Sequence, residues 1–114
     1  MTLREAQKLY TRLKRVYYAE SPMPLAREIK WHWAGMEKAK YLDPKKELAC
    51  TVRHKNGNFS VEMHEILKNF PRLFTLILLH EMSHIKDFSK HHGKYFEDEA
   101  FRLGKLGVMR EFWI

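Results

Sequence analysis

Cysteine is nearly absent from this chain of 114 residues: Cys50 is the only one. An intrachain disulfide is therefore impossible, and a cysteine-based zinc cluster is excluded. Long apolar runs are missing too. The longest, Leu76-Ile77-Leu78-Leu79, falls far short of the roughly 20 residues that a membrane helix needs. The first residues, Met1-Thr2-Leu3-Arg4-Glu5-Ala6-Gln7-Lys8, hold no apolar segment of the kind a secretory signal requires. Repeats, low-complexity tracts and linkers are lacking as well. These absences lead to the expectation of a soluble, monomeric protein without a membrane partner. It is expected in the cytoplasm or with a nucleoid or nucleus, and not to be secreted. Acidic residues are outnumbered 14 to 21 by lysine and arginine, a net charge of +7. Such a balance permits binding to nucleic acid or another acidic surface.

What is present argues for one folded domain over residues 1–114. Hydrophobic residues make up 45% and aromatics 13%, too many for a disordered chain. A chain of this length buries roughly two thirds of its unfolded surface. Thr2-x-x-Glu5 is a capping box, in which each side chain bonds a free backbone N–H at a helix start. Leu3, Ala6, Leu9, Tyr10, Leu13, Val16 and Tyr17 then recur at helical spacing. A helix is predicted over about residues 3–19, stopped by Ser21-Pro22-Met23-Pro24. Ile29, Trp31 and Trp33 alternate with Lys30 and His32, a strand pattern ended by Gly35. Tyr41-Leu42 suggests a second short strand. Leu48 to Arg53 is rich in strand formers, Asn56-Gly57 is a strong hairpin signal, and Phe59 to Met63 reads as the returning strand. Residues 72–88 read as a helix that is apolar nearly all round in its first half, hence buried. A last helix is predicted over about 94–106, with Phe96, Ala100, Leu103 and Leu106 as its inner stripe.

The chemistry lies in His80-Glu81-Met82-Ser83-His84, an H-E-x-x-H motif inside the buried helix. At 3.6 residues per turn the two histidines share one face. Their ring nitrogens can converge on one zinc ion at about 2.0–2.1 Å. Glu81 lies beside them, placed to take a proton from a water as general base. A catalytic zinc site normally has a third protein ligand. His92, just after the helix should end, is the leading candidate; Gly93 beside it allows a tight approach. His91 is the neighbouring competitor, and Glu97 and Glu99 are acidic alternatives. Asp87 is expected to support a ligand through a hydrogen bond.

The pair formed by this motif and His92-Gly93-Lys94-Tyr95-Phe96 resembles the H-E-x-x-H and H-G-x-x-F motifs of the SprT-like zinc metalloproteases. Ile29-Lys30-Trp31-His32-Trp33-Ala34-Gly35 is similar to the tryptophan-bearing strand of that family, and the resemblance runs over about residues 25–107. It implies an α+β fold of minimal zincin type: an N-terminal helix, a small mostly antiparallel sheet with a hairpin, the active-site helix and a closing helix. It implies His80, His84 and His92 as zinc ligands, Glu81 as the general base, and protein substrates associated with DNA. In length the chain also resembles the minigluzincins, whose third ligand is a glutamate; the H-G-x-x-F match favours His92.

The remaining residues receive structural expectations. Trp31 and Trp33 read as core. His32 and His64 read as surface or hydrogen-bonded residues, and Cys50 as a small buried hydrophobe. Tyr95 is open between packing and donation to an oxyanion. The strand at Phe59 to Met63 is expected to border the cleft, where an extended substrate can pair with it. Arg4, Lys8, Arg12 and Arg15 form a basic ridge on the first helix, and Arg53 and Lys55 flank the hairpin turn. These are the candidate phosphate contacts, against the plainer reading of a solvated face. Phe112, Trp113 and Ile114 make an apolar tail, expected to pack on the body or to lie near the cleft. The expected function is a zinc endopeptidase, favoured by the intact Glu81, since a purely structural site needs no base; a metal-bound binding or structural module is the alternative.

Overall fold

The computed structural model describes residues 1–90 and 92–108. His91 and the tail from Met109 to Ile114 lie outside them. Helix α1 spans Leu3–Tyr17. Its capping box is formed: Thr2 Oγ1 accepts from the Glu5 N–H at 3.1 Å, and Glu5 Oε1 accepts from the Thr2 N–H at 3.0 Å. Strand β1 is Ile29–Ala34, β2 is Ala49–Arg53 and β3 is Phe59–His64. A 3-10 turn over Glu65–Asn69 leads into helix α2, Pro71–Lys86, and helix α3 follows at Lys94–Lys105. The fold is α+β, as expected. Among the described residues no helix is long and apolar enough to cross a membrane.

The core lies between the helices and one face of the sheet. Tyr10 and Leu13 of α1, Trp31 of β1, Val61 and Met63 of β3, and Phe74, Leu78 and Met82 of α2 are all buried in one cluster. Burying an aliphatic or aromatic side chain of this kind stabilises by roughly 1.5–3 kcal/mol. Trp31 meets Tyr10 edge to face at 5.4 Å and donates its indole N–H to the Ala26 carbonyl at 3.0 Å. Trp33 packs on Phe74 with ring centroids 5.7 Å apart. Both tryptophans therefore serve packing.

The sheet departs from the expected mostly antiparallel one. Its order is β1-β3-β2, with β2 antiparallel to β3 but β1 parallel to β3. The cause is the long connection from Gly35 to Leu48. It carries the chain past the place of the central strand to the far edge, and the hairpin then returns β3 between its two neighbours. The hairpin turn forms where Asn56-Gly57 placed it, with Gly57 at φ +88°, a conformation that glycine adopts without steric cost.

The strand expected at Tyr41-Leu42 does not exist. Its backbone N–H groups go to a side chain instead of a ladder. Glu62, 1% exposed on central strand β3, accepts from the N–H groups of Lys40, Tyr41 and Leu42 at 2.8, 2.7 and 2.6 Å. Burial acts to raise the Glu62 pKa, but these three bonds outweigh it and hold the carboxyl below its ordinary value. The stabilisation is therefore present above the ordinary carboxylate pKa and is lost as pH falls through the depressed folded value. Glu62→Gln should cost about 2–4 kcal/mol at neutral pH, since it loses the charge and turns an amide NH₂ toward backbone donors. Urea unfolding in chelator checks this. The gap between variant and wild type should narrow as the pH falls below about 4, the ordinary carboxylate range.

His64 is buried rather than on the surface. Its Nδ1 accepts from the Ile66 N–H at 3.1 Å, so Nε2 carries the proton and donates to the Pro44 carbonyl, also at 3.1 Å. This histidine ties the start of the 3-10 turn to the same long connection.

Candidate metal centre

Helix α2 positions two of the three histidines. Pro71 sits in its first turn, where a missing N–H costs nothing. Phe74, Leu78, Leu79, Met82 and Ile85 are buried along it and fix its rotation. That rotation turns Ile77, His80, Glu81 and His84 toward an open cleft of about 680 Å³, which Phe88 just beyond the helix also lines. The opposite wall is β2 with the turn before it. The sheet order makes β2 an edge strand. This corrects the expectation that Phe59–Met63 borders the cleft: β3 is enclosed between two strands, and the bordering edge belongs to Ala49–Arg53.

The third histidine comes from the link between α2 and α3. The chain turns at Gly93, with φ +123° and ψ −133°, a region essentially reserved for glycine. His92 is thereby returned over the end of α2. The ligand-capable atoms of His80, His84 and His92 all lie within 4.8 Å of one another. His80 Nε2 and His92 Nε2 are 3.1 Å apart. Two nitrogens each held at 2.0–2.1 Å from a tetrahedral ion are about 3.3 Å apart. The three histidines are thus close enough together to bind a metal ion, and imidazole donors suit zinc, copper, iron or nickel.

Phe96 completes the support. Its ring lies 4.8, 4.5 and 4.8 Å from the rings of His80, His84 and His92, so one aromatic side chain braces all three. Burial lowers the pKa of His84, to about 4, with the nearby His80 and His92 adding to the effect. Burial and then His92 likewise lower that of His80. Both imidazoles are therefore neutral at pH 7, the form in which a lone pair is free for a metal.

Glu81 shares the cleft and is 4% exposed. Burial pushes its pKa up to about 7; a hydrogen bond from Thr51 opposes the rise and the charge of Glu47 adds to it. Thr51 Oγ1 donates to Glu81 Oε1 at 2.7 Å, tying the carboxylate to the edge strand. Thr51 was not visible as a functional residue in the sequence. Its only signal is alternation with Ala49 and Arg53, which acquires meaning once β2 is known to face α2.

Other candidates are placed elsewhere. Both Glu99 oxygens are occupied, by Lys86 Nζ at 2.9 Å and by Arg102 Nε at 2.8 Å. Glu97 is exposed on α3, and neither glutamate joins the histidine group. Among the described residues Asp87 supports no histidine: its Oδ1 accepts from the Ser89 N–H and hydroxyl, closing the turn after α2. Tyr95 donates to the Ser83 carbonyl at 2.9 Å, which answers the open question in favour of packing α3 on α2. Cys50 is half-buried in β2. Burial, with Glu62, Glu81 and Glu47 nearby, pushes its thiol up to about 12, and it does not join the histidine group.

Tyr18 is a further residue that sequence reasoning missed. Its hydroxyl donates to the Leu79 carbonyl at 2.9 Å and lies 3.0 Å from Ser83 Oγ. The Arg102 guanidinium stacks over its ring at 4.9 Å and donates to the Tyr17 carbonyl. The end of α1 and the middle of α3 thus grip α2 at the turns that carry the histidines. No protein-family model, curated protein or solved structure matches this chain.

Proposed function

We propose that the chain is a zinc-dependent endopeptidase of the SprT-like type. One observation carries the reading: a buried glutamate shares a single cleft with three clustered histidines and is bonded to the edge strand of the sheet. A purely structural metal site has no use for such a base. The residues fit zinc, with His80, His84 and His92 as the holding groups and the remaining side open to the cleft. Bound there, zinc supplies Lewis-acid polarisation of a carbonyl and an acidified water.

The protein's own groups do the rest. Glu81 takes a proton from the attacking water and passes it to the departing amine, a role suited to a carboxyl whose pKa burial brings near neutrality. Thr51 holds one oxygen of Glu81, which leaves the other free for the water. An extended peptide pairs with the free edge of β2 through main-chain hydrogen bonds, which lays its backbone along the histidines. The test is cleavage of an unfolded protein by the zinc-loaded chain. Cleavage should disappear with a chelator and return with added zinc. A chain that keeps zinc but cleaves nothing is a binding module instead.

Nucleic acid is a proposed accessory partner. Arg4, Lys8, Arg12 and Arg15 are exposed on α1, and Arg53 and Lys55 are exposed at the hairpin. Among the described residues no base-reading element accompanies them, so binding should be weak, insensitive to sequence and steeply salt-dependent. Neutralising the four α1 residues should flatten the log–log salt slope by about one unit per lost phosphate contact. Zinc content should not change. An unchanged slope means that the ridge is a solvated helix face.

A further inference from the structure

The cleft wall facing α2 is prepared before any ligand arrives. It consists of β2 and the turn from Asp43 to Leu48. The turn is anchored at its entry, where Glu62 fixes the N–H groups of residues 40–42. It is anchored again within itself. The Asp43 N–H donates to Glu47 Oε1 at 2.9 Å, and the Glu47 N–H donates to the Asp43 carbonyl at 2.8 Å. Glu47 therefore stands in the cleft lining on a fixed backbone.

One oxygen of that carboxylate is engaged. Glu47 Oε2 has no hydrogen bond or ion pair among the described residues. Lys46 and Lys90 also line the cleft, yet neither pairs with it. Its charge nevertheless reaches Glu81 and Cys50, adding at both to the larger effect of burial. Glu47 and Glu81 thus share one cleft, and neither is ion-paired among the described residues. An arriving cationic group gains attraction from the Glu47 carboxylate, and an anionic group is repelled by it.

We propose that Glu47 is a specificity-determining residue of the cleft, selecting peptides with a positive charge beside the bond that lies over the histidines. The charge is a lysine or arginine side chain or a free α-ammonium. The inference rests on the peptidase reading of the same cleft. Pre-organisation supports it, because a fixed carboxylate loses little freedom on binding.

The test uses the full zinc-loaded chain and capped octapeptides of alanine and leucine, each with a single lysine or a single glutamate at a given position. Uncapped peptides without lysine form a separate arm that reports the α-ammonium. At one position next to the cleaved bond, lysine should be favoured over glutamate in kcat/KM by about tenfold, a difference of 1.4 kcal/mol. Glu47→Gln keeps an amide oxygen for the Asp43 N–H but removes the charge, and should bring that ratio close to one. Glu47→Lys should invert it. Zinc content should be equal in all three proteins. The same ratios are measured as binding affinities in zinc-loaded Glu81→Gln, which needs no turnover. Absent hydrolysis with a binding ratio that depends on Glu47 overturns the peptidase reading and leaves the selectivity standing. No preference in the wild type, or a preference unchanged in Glu47→Gln, overturns the proposal.

Discussion

Glu81→Gln should hydrolyse peptides at least about a hundredfold more slowly than the wild type, the usual worth of a positioned general base. It should hold zinc equally well and unfold at a similar temperature. The reasoning is local. Glutamine has the shape of glutamate, and its amide oxygen still accepts from Thr51, which lies 2.7 Å from the carboxylate. It carries no proton-accepting carboxylate, so only the proton transfer is lost. Burial of an ionisable carboxyl at 4% exposure is also costly, so the variant should be no less stable. Equal activity in this variant would remove Glu81 from the mechanism. A large fall in stability would show that its role is structural.

His92→Ala should weaken zinc binding by more than about a hundredfold, beyond the loss usual for outer hydrogen-bonding partners of a ligand. His80→Ala and His84→Ala should do the same. The three differ in what else they disturb. His80 and His84 stand on a helix held by core packing and by Tyr18, so their loss leaves the frame intact. His92 stands on a link whose position depends on Gly93 and on the stacking of Phe96, 4.8 Å from its ring. Titration of zinc against a competing chelator gives the affinities. Undiminished affinity in His92→Ala would remove it as a ligand and promote His91.

The parts of this account that were legible in the sequence are those written in local periodicity. Helix α1 could be read from Thr2, Glu5 and the stripe through Tyr17, and α2 from its apolar turns. The predicted end of α1 at residue 19 overshot, because Tyr18 leaves the helix to bond α2, 61 residues away at Leu79. The H-E-x-x-H spacing marked two histidines without any knowledge of the fold, since i and i+4 share a helix face. The third needed only a short link and a glycine. The long connection from Gly35 to Leu48 was not legible. Its backbone is satisfied by Glu62, 20 residues or more along the chain, and no local pattern announces such a bond. Strand order was hidden for a related reason. A hairpin signal tells which strands are joined, not on which side a third strand is inserted. Thr51 and Glu47 gained their places from that order.

The central claim is that three imidazoles, and no cysteine, hold the metal beside Glu81. X-ray absorption at the zinc edge of the loaded chain tests it most directly. The account predicts a four-coordinate shell of nitrogen and oxygen at about 2.0–2.1 Å, with the outer scattering of three imidazole rings and no sulfur at about 2.3 Å. A sulfur scatterer, which only Cys50 or a methionine can supply, or fewer than three imidazoles in the shell, would contradict it.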